Sequence, residues 1–100
     1  MGNFAELIQE ADRRLVVLRV LAEDADYSHN EYVLRSALRS MGHNVSVDLL
    51  RTELAWLAEQ GLLAVADTTG VMVAKLTARG LDVANGAVVI PGVKRPEPEL

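Results

Sequence analysis

Apolar residues in the first sixty positions recur at spacings of three and four, the period of a helix rather than the alternation of a half-buried strand. Three helices are predicted. The first runs from about Phe4 to Ala22, with Ile8, Ala11, Leu15, Leu18 and Leu21 on one stripe. It leads into Glu23, Asp24 and Asp26, an acidic run that opposes the negative end of a helix. Val16, Val17 and Val20 lie off that stripe. A second apolar face implies burial on two sides, and the contact expected there is a homodimer, with Val88, Val89 and Ile90 joining it.

Ser28 and Glu31 have the spacing of a capping box, which starts a second helix with Leu34, Ala37, Leu38 and Met41 inward and Arg35, Ser36, Arg39 and Ser40 outward. Gly42 supplies the left-handed residue that stops it. After a turn of about four residues Ser46 caps a third helix, about 47–60, with Asp48 at its positive end, Leu50, Leu54 and Leu57 toward the core, and Gly61 as its stop. Beyond Gly61 the pattern changes. Leu62–Ala66 and Val71–Leu76 flank the polar tip Asp67-Thr68-Thr69-Gly70, which predicts a β-hairpin. Thr77 caps a short last helix to about Ala84. Pro91, Pro96 and Pro98 deny the last ten residues a helix or a central strand, so residues 1–90 form one domain and 91–100 an extended, frayed tail. The class is mainly α with a small β-hairpin.

Composition narrows the function. The chain has 100 residues, 50% hydrophobic and 24% charged, enough for one core. Its apolar runs are far shorter than the ~20 residues of a membrane span, and Glu6, Glu10 and Asp12 stand where a signal peptide is basic, so a cytoplasmic protein without membrane contact is expected. It has no cysteine, hence no disulfide and no thiolate metal site, and no cofactor is expected. His29 and His43 are too few for a metal centre. No nucleophile–base constellation or phosphate loop is evident, which argues against an enzyme.

Helix, helix, turn, helix and hairpin is the order of a winged helix-turn-helix domain. Leu54–Leu63 (LAWLAEQGLL) resembles the end of the recognition helix and the entry to the wing in arsenic-repressor-type and multiple-antibiotic-resistance-type regulators. Leu76–Leu81 (LTARGL) resembles the exit from their wing, and with Arg14–Ala22 the likeness covers roughly residues 13–84. Arg51–Gly61, Arg79–Ala84 and Pro91–Pro96 resemble a family of small proteins of Mu-like prophages, and this second likeness spans nearly the whole chain. The resemblance implies a phage context and a winged-helix fold.

In a helix-turn-helix that reads DNA, the third helix enters the major groove and the preceding turn meets the backbone. That places Val47, Asp48, Arg51 and Thr52 toward bases, and Arg39, Ser40, His43, Asn44 and Ser46 toward phosphates. Arg51 has the chemistry to read guanine and Thr52 to touch a thymine methyl. The expected function is accordingly a phage-type DNA-binding or transcription-regulatory accessory protein on double-stranded DNA. Charge opposes it: the net charge is −4, and Asp48 and Glu53 flank Arg51. The competing expectation is a protein-interaction module on the same fold, for phage assembly or as an accessory factor. Trp56, at the edge of the core stripe, is read as closing the core under the wing, with an interface anchor as the alternative.

Overall fold

The computed structural model describes residues 3–98. Four helices and a three-stranded antiparallel sheet follow in the order α1 (Phe4–Glu23), β1 (Ser28–Asn30), α2 (Glu31–Ser40), α3 (Val47–Glu59), β2 (Leu63–Thr68), β3 (Val71–Leu76) and α4 (Ala78–Ala84). The architecture is α+β. The helices begin where short polar side chains take up otherwise unpaired first-turn amides: Asn3 for α1, Ser46 for α3 and Thr77 for α4. At the end of α2, Gly42 (φ 90°) and His43 donate to the carbonyls of Arg39 and Leu38 at 3.1 and 2.8 Å, the paired bonds of a Schellman motif. Leu18, Leu21, Leu34, Leu38, Leu50, Leu54, Leu57 and Leu62 are fully buried and bring the first three helices onto one core.

The start of α2 differs from the sequence expectation. Ser28 is not a helix cap; it belongs to β1, whose three residues pair with Lys75, Ala74 and Val73 of β3. The sheet order is therefore β1-β3-β2. Tyr27 reaches the strand through a left-handed backbone (φ 57°), and its carbonyl accepts from the Leu76 N–H. Asn30 then caps α2 by accepting from Val33 N–H at 2.9 Å. Glu31, displaced from the third helical position to the first, is free to reach elsewhere. Met41, expected inward, is 63% exposed, because α2 ends before it and the chain turns away.

The hairpin forms as expected, with Thr68 opposite Val71 and Thr69-Gly70 as a two-residue turn in which both φ angles are positive. Asp67 Oδ1 accepts from the Gly70 N–H at 2.7 Å and holds the tip. Helix α4 lies so close to the connection between α3 and β2 that position 80 tolerates no side chain. A Cβ on Gly80 would overlap the carbonyl oxygen of Leu62 and stand 2.6 Å from Leu76 Cδ1.

Two expectations about apolar surface are corrected. Val16 and Val17 are buried within the single chain, which uses the second face of α1 for its own packing, and Val20 and Val88 pack partly buried against the core. The C-terminal segment is not frayed where the structure describes it. Ile90 and Val93 are buried, the Lys94 N–H donates to the Ala11 carbonyl at 3.1 Å, and Gly92 lies against Trp56. Proline excludes regular structure here, but it does not prevent docking on α1. Among the described residues, no helix is long and apolar enough to cross a membrane.

Gly80→Ala is expected to cost about 3 kcal/mol or more, since the obstruction includes backbone that cannot swing away; urea unfolding monitored by circular dichroism measures it. Truncation after Val89 removes two buried aliphatic side chains and should cost a similar ~2–5 kcal/mol, against almost nothing for an undocked tail.

Candidate functional site at the α2–α3 face

The residues expected to meet a nucleic acid lie on α2, α3 and the turn between them, and the structure separates them into two groups. Arg39, Asp48 and Thr52 are exposed, at the positions their helical phase implies, and Asn44 is exposed in the turn between the helices. Ser40 is also exposed, its hydroxyl donating to the Ala37 carbonyl at 2.9 Å. Thr52 turns its hydroxyl back to the Asp48 carbonyl at 3.1 Å, leaving its methyl outward. Val47 is half-buried. The others are engaged within the chain itself. Ser46 accepts from the Leu49 N–H at 3.0 Å as the cap of α3. His43 is nearly covered, with Nε2 2.6 Å from Asp12 Oδ2 on α1. Asp12 also lies 3.6 Å from Lys94 Nζ, and Glu97 stands 3.3 Å from the same ammonium. These two carboxylates, Glu97 first, hold the Lys94 ammonium pKa above its ordinary value.

Arg51 is the residue on which base recognition would depend, and its guanidinium is tied to its own chain. Nε and Nη2 donate to the two oxygens of Glu31 at 2.7 and 2.9 Å, and Nη2 also reaches the Gly70 carbonyl at 3.1 Å. Glu31 is only 1% exposed and accepts a further bond, 2.5 Å, from the Met72 N–H. One carboxylate thus joins the start of α2, the middle of α3 and the hairpin. The Arg51 hydrogen bonds are the main reason the Glu31 carboxyl titrates below its ordinary range; burial opposes them, and the Met72 amide assists. The same pairing raises the Arg51 pKa further.

Glu53 is also inward. Expected beside Arg51 as an exposed charge, it is 4% exposed and accepts from Arg13 Nε at 2.6 Å and Arg14 Nε at 3.1 Å. Arg14 is itself buried: Nη2 lies 2.5 Å from Glu10, Nη1 donates to the Gly92 carbonyl at 3.1 Å, and the guanidinium stacks 3.8 Å above the Trp56 ring. Trp56 closes the core against the C-terminal segment, under an arginine. The sequence analysis missed this cluster although the chain carries its signal. Glu53 falls between Leu50 and Leu57 on the core stripe of α3, and Glu31 stands three and seven residues before Leu34 and Leu38.

The hairpin tip, residues 67–70, carries Asp67 and no basic residue. Arg35 is drawn to the Val45 carbonyl at 2.8 Å. The acidic turn after α1 is internally bonded: Asp24 accepts from the N–H groups of Ser28 and Asp26, which lower its pKa, and stands 3.6 Å from His29. Among the described residues, no three side chains of histidine, aspartate or glutamate converge as a metal would require.

Fold and site together define a small α+β protein in which Arg13, Arg14 and Arg51 neutralise two buried carboxylates. No family model matches it. The chain is 49% identical over 87 residues to the "Uncharacterized protein gp26" of Escherichia phage Mu, covering 87% of this chain and 90% of that protein. It is 46% identical over 98 residues to a protein of Haemophilus influenzae, covering 97% of this chain and 94% of the other. The chain belongs to the family of the phage Mu protein gp26, in keeping with the phage context that the sequence resemblance implies.

Glu31→Gln should lower stability by about 2 kcal/mol, less than for a fully buried ion pair because Arg51 is partly solvated. Because the folded carboxyl titrates below its ordinary 4.5, its contribution is complete above that pH and lost as the pH falls through the folded value. The variant should therefore lose less stability than wild type between pH 7 and pH 3, measured by urea midpoints.

Proposed function

We propose that this chain is a winged helix-turn-helix accessory module of phage whose α2–α3 face binds a protein partner, in a non-catalytic role. The element order, the short turn between α2 and α3, and a hairpin that pairs with a third strand support the winged-helix assignment. The observation that carries the choice of partner is the bidentate capture of Arg51 by buried Glu31. Releasing that arginine to a base would leave a carboxylate buried and half-satisfied, a cost comparable to the ~1–3 kcal/mol that one base contact returns. What stays outward includes Tyr32, Val33, Ala55 and Thr52, with Arg39 outnumbered by Asp48 and Asp67. Such a mixed, weakly acidic surface suits a protein better than a phosphate backbone.

The DNA-binding and regulatory reading is supported by the exposed set Arg39, Asn44 and Thr52 at helix-turn-helix spacing. A retardation experiment separates the two. Wild type and the double variant Asp48→Asn/Asp67→Asn, which removes two exposed carboxylates while leaving Glu31 and Glu53 in place, are titrated against random duplex DNA at ~50 mM salt and micromolar protein. The protein-binding role predicts no shift with either, and a photo-crosslinker at Ala55 should join to a protein in phage-producing cells. A salt-sensitive shift that strengthens in the double variant, with Arg39→Ala reducing the salt slope by about one unit, would establish DNA instead.

A further inference from the structure

The sheet ends in β1 on one side and in β2 on the other. Strand β1 has three residues and runs directly into α2, so it offers little backbone. Strand β2 has six, and all of it beyond Leu63 is exposed. Met72 and Leu76 of β3 direct their N–H groups away from β2, to Glu31 and to the Tyr27 carbonyl. In an antiparallel ladder, residues directly opposite alternate between exchanging both hydrogen bonds and exchanging none. Asp67 stands opposite Met72, Val65 opposite Ala74 and Leu63 opposite Leu76, so these residues of β2 also turn their backbone groups away from β3. Among the described residues, nothing outside the sheet bonds to the N–H or C=O of Val65 or Asp67. Proteins block such an edge with a bulge, a proline or a lysine in the strand. Strand β2 has none of these: its pairing with β3 is uninterrupted, and its one charge, Asp67, lies near the tip.

The hairpin is also held in place. Asp67 closes the tip on the Gly70 N–H, Arg51 holds the Gly70 carbonyl, and Glu31 holds the Met72 N–H. A strand fixed in advance loses little entropy on pairing. Alternating N–H and C=O groups at strand spacing are the complement of an extended polypeptide, and charge defines which one. Asp67 lies on the face of the sheet that carries Leu63 and Val65; Lys75 lies on the opposite face beside Ala64, whose methyl is too small to screen it from the edge. Both are exposed, and among the described residues neither forms an ion pair. A second copy does not answer these charges. Two β2 strands paired about a two-fold axis share the same faces, so the Asp67 of one never meets the Lys75 of the other. We propose that the β2 edge takes an extended segment of another protein as a fourth strand, antiparallel to β2, with a basic residue of that segment opposite Asp67 and an acidic residue opposite Ala64, within reach of Lys75. The contact is independent of which macromolecule meets the α2–α3 face.

Titration of the isotope-labelled full chain with the synthetic peptide Thr-Lys-Thr-Val-Glu-Thr-Thr, followed by NMR, tests it. The Val65 and Asp67 amides should shift and become protected from solvent exchange, with half-saturation below ~1 mM peptide. Val65→Pro deletes an outward N–H and no bond to β3, so the circular dichroism spectrum should stay native while binding weakens at least ~10-fold. The same peptide N-methylated at its valine should not bind, a control that leaves the protein untouched. Lys75→Glu should reverse the charge preference and take the peptide with lysine in place of its glutamate over the original. An unmoved Val65 amide at ~1 mM peptide overturns the proposal. So does binding indifferent both to Val65→Pro and to N-methylation, or a Lys75→Glu chain that still prefers the original peptide. A wild-type dimer at ~100 μM in sedimentation equilibrium that Val65→Pro dissociates also overturns it, and would give the edge to a second copy.

Discussion

Two glutamates in the interior, Glu31 and Glu53, set the constraint on which the rest of the structure depends. A carboxylate moved from water into a protein core is tolerable only if its charge is matched and its oxygens are hydrogen-bonded. Glu31 meets that demand with Arg51 and the Met72 amide, and Glu53 with Arg13 and Arg14. Each pairing is a tie between elements distant in sequence. Through Glu31 the second helix, the third helix and the hairpin become one unit. Through Glu53 the first helix is joined to the third, and Arg14 carries the connection on to Trp56 and the Gly92 carbonyl. Among the described residues, no buried side-chain polar atom lacks a partner.

The same constraint shapes the surface. Arg13, Arg14 and Arg51 sit within or beside a core that holds two negative charges, so they contribute little to the outer field. Arg39 then stands on the α2–α3 face with exposed Asp48 and Asp67 for company. Membership of the gp26 family places the molecule among phage proteins, and its surface chemistry bears on which partners it meets there. Apolar side chains also remain outside, among them Phe4, Leu7 and Ile8 of α1 and Tyr32 and Val33 of α2.

The C-terminal segment shows how a sequence poor in regular structure can still be integral. Pro91, Gly92 and Pro96 prevent a helix or strand, yet Ile90 and Val93 fill the edge of the core, and one backbone bond reaches the Ala11 carbonyl. Ordering such a strap is opposed by chain entropy. The hydrogen bond from Arg14 to the Gly92 carbonyl and the two buried aliphatic side chains offset that loss.

Four helices, two of their N-caps (Ser46 and Thr77), the hairpin and its turn are legible in the chain, because each is written within a few residues: a periodicity of three to four, a serine or threonine before it, a glycine after it. Helical phase also puts Arg39, Asp48 and Thr52 on the outside, and Asn44 is outside as a polar turn residue. Tertiary structure decided the rest. Ser28-His29-Asn30 has no strand signature and is a strand only because the free edge of β3 accepts it, which moved the start of α2 and sent Glu31 inward. Arg51 and Glu31 are 20 residues apart and His43 and Asp12 are 31 apart, and no local rule relates them. The glutamates hinted at their burial by falling in phase with leucines, but which arginine would answer each one depended on how the helices crossed. A side chain at a site is available or occupied according to neighbours supplied by the fold, and Arg51 is occupied.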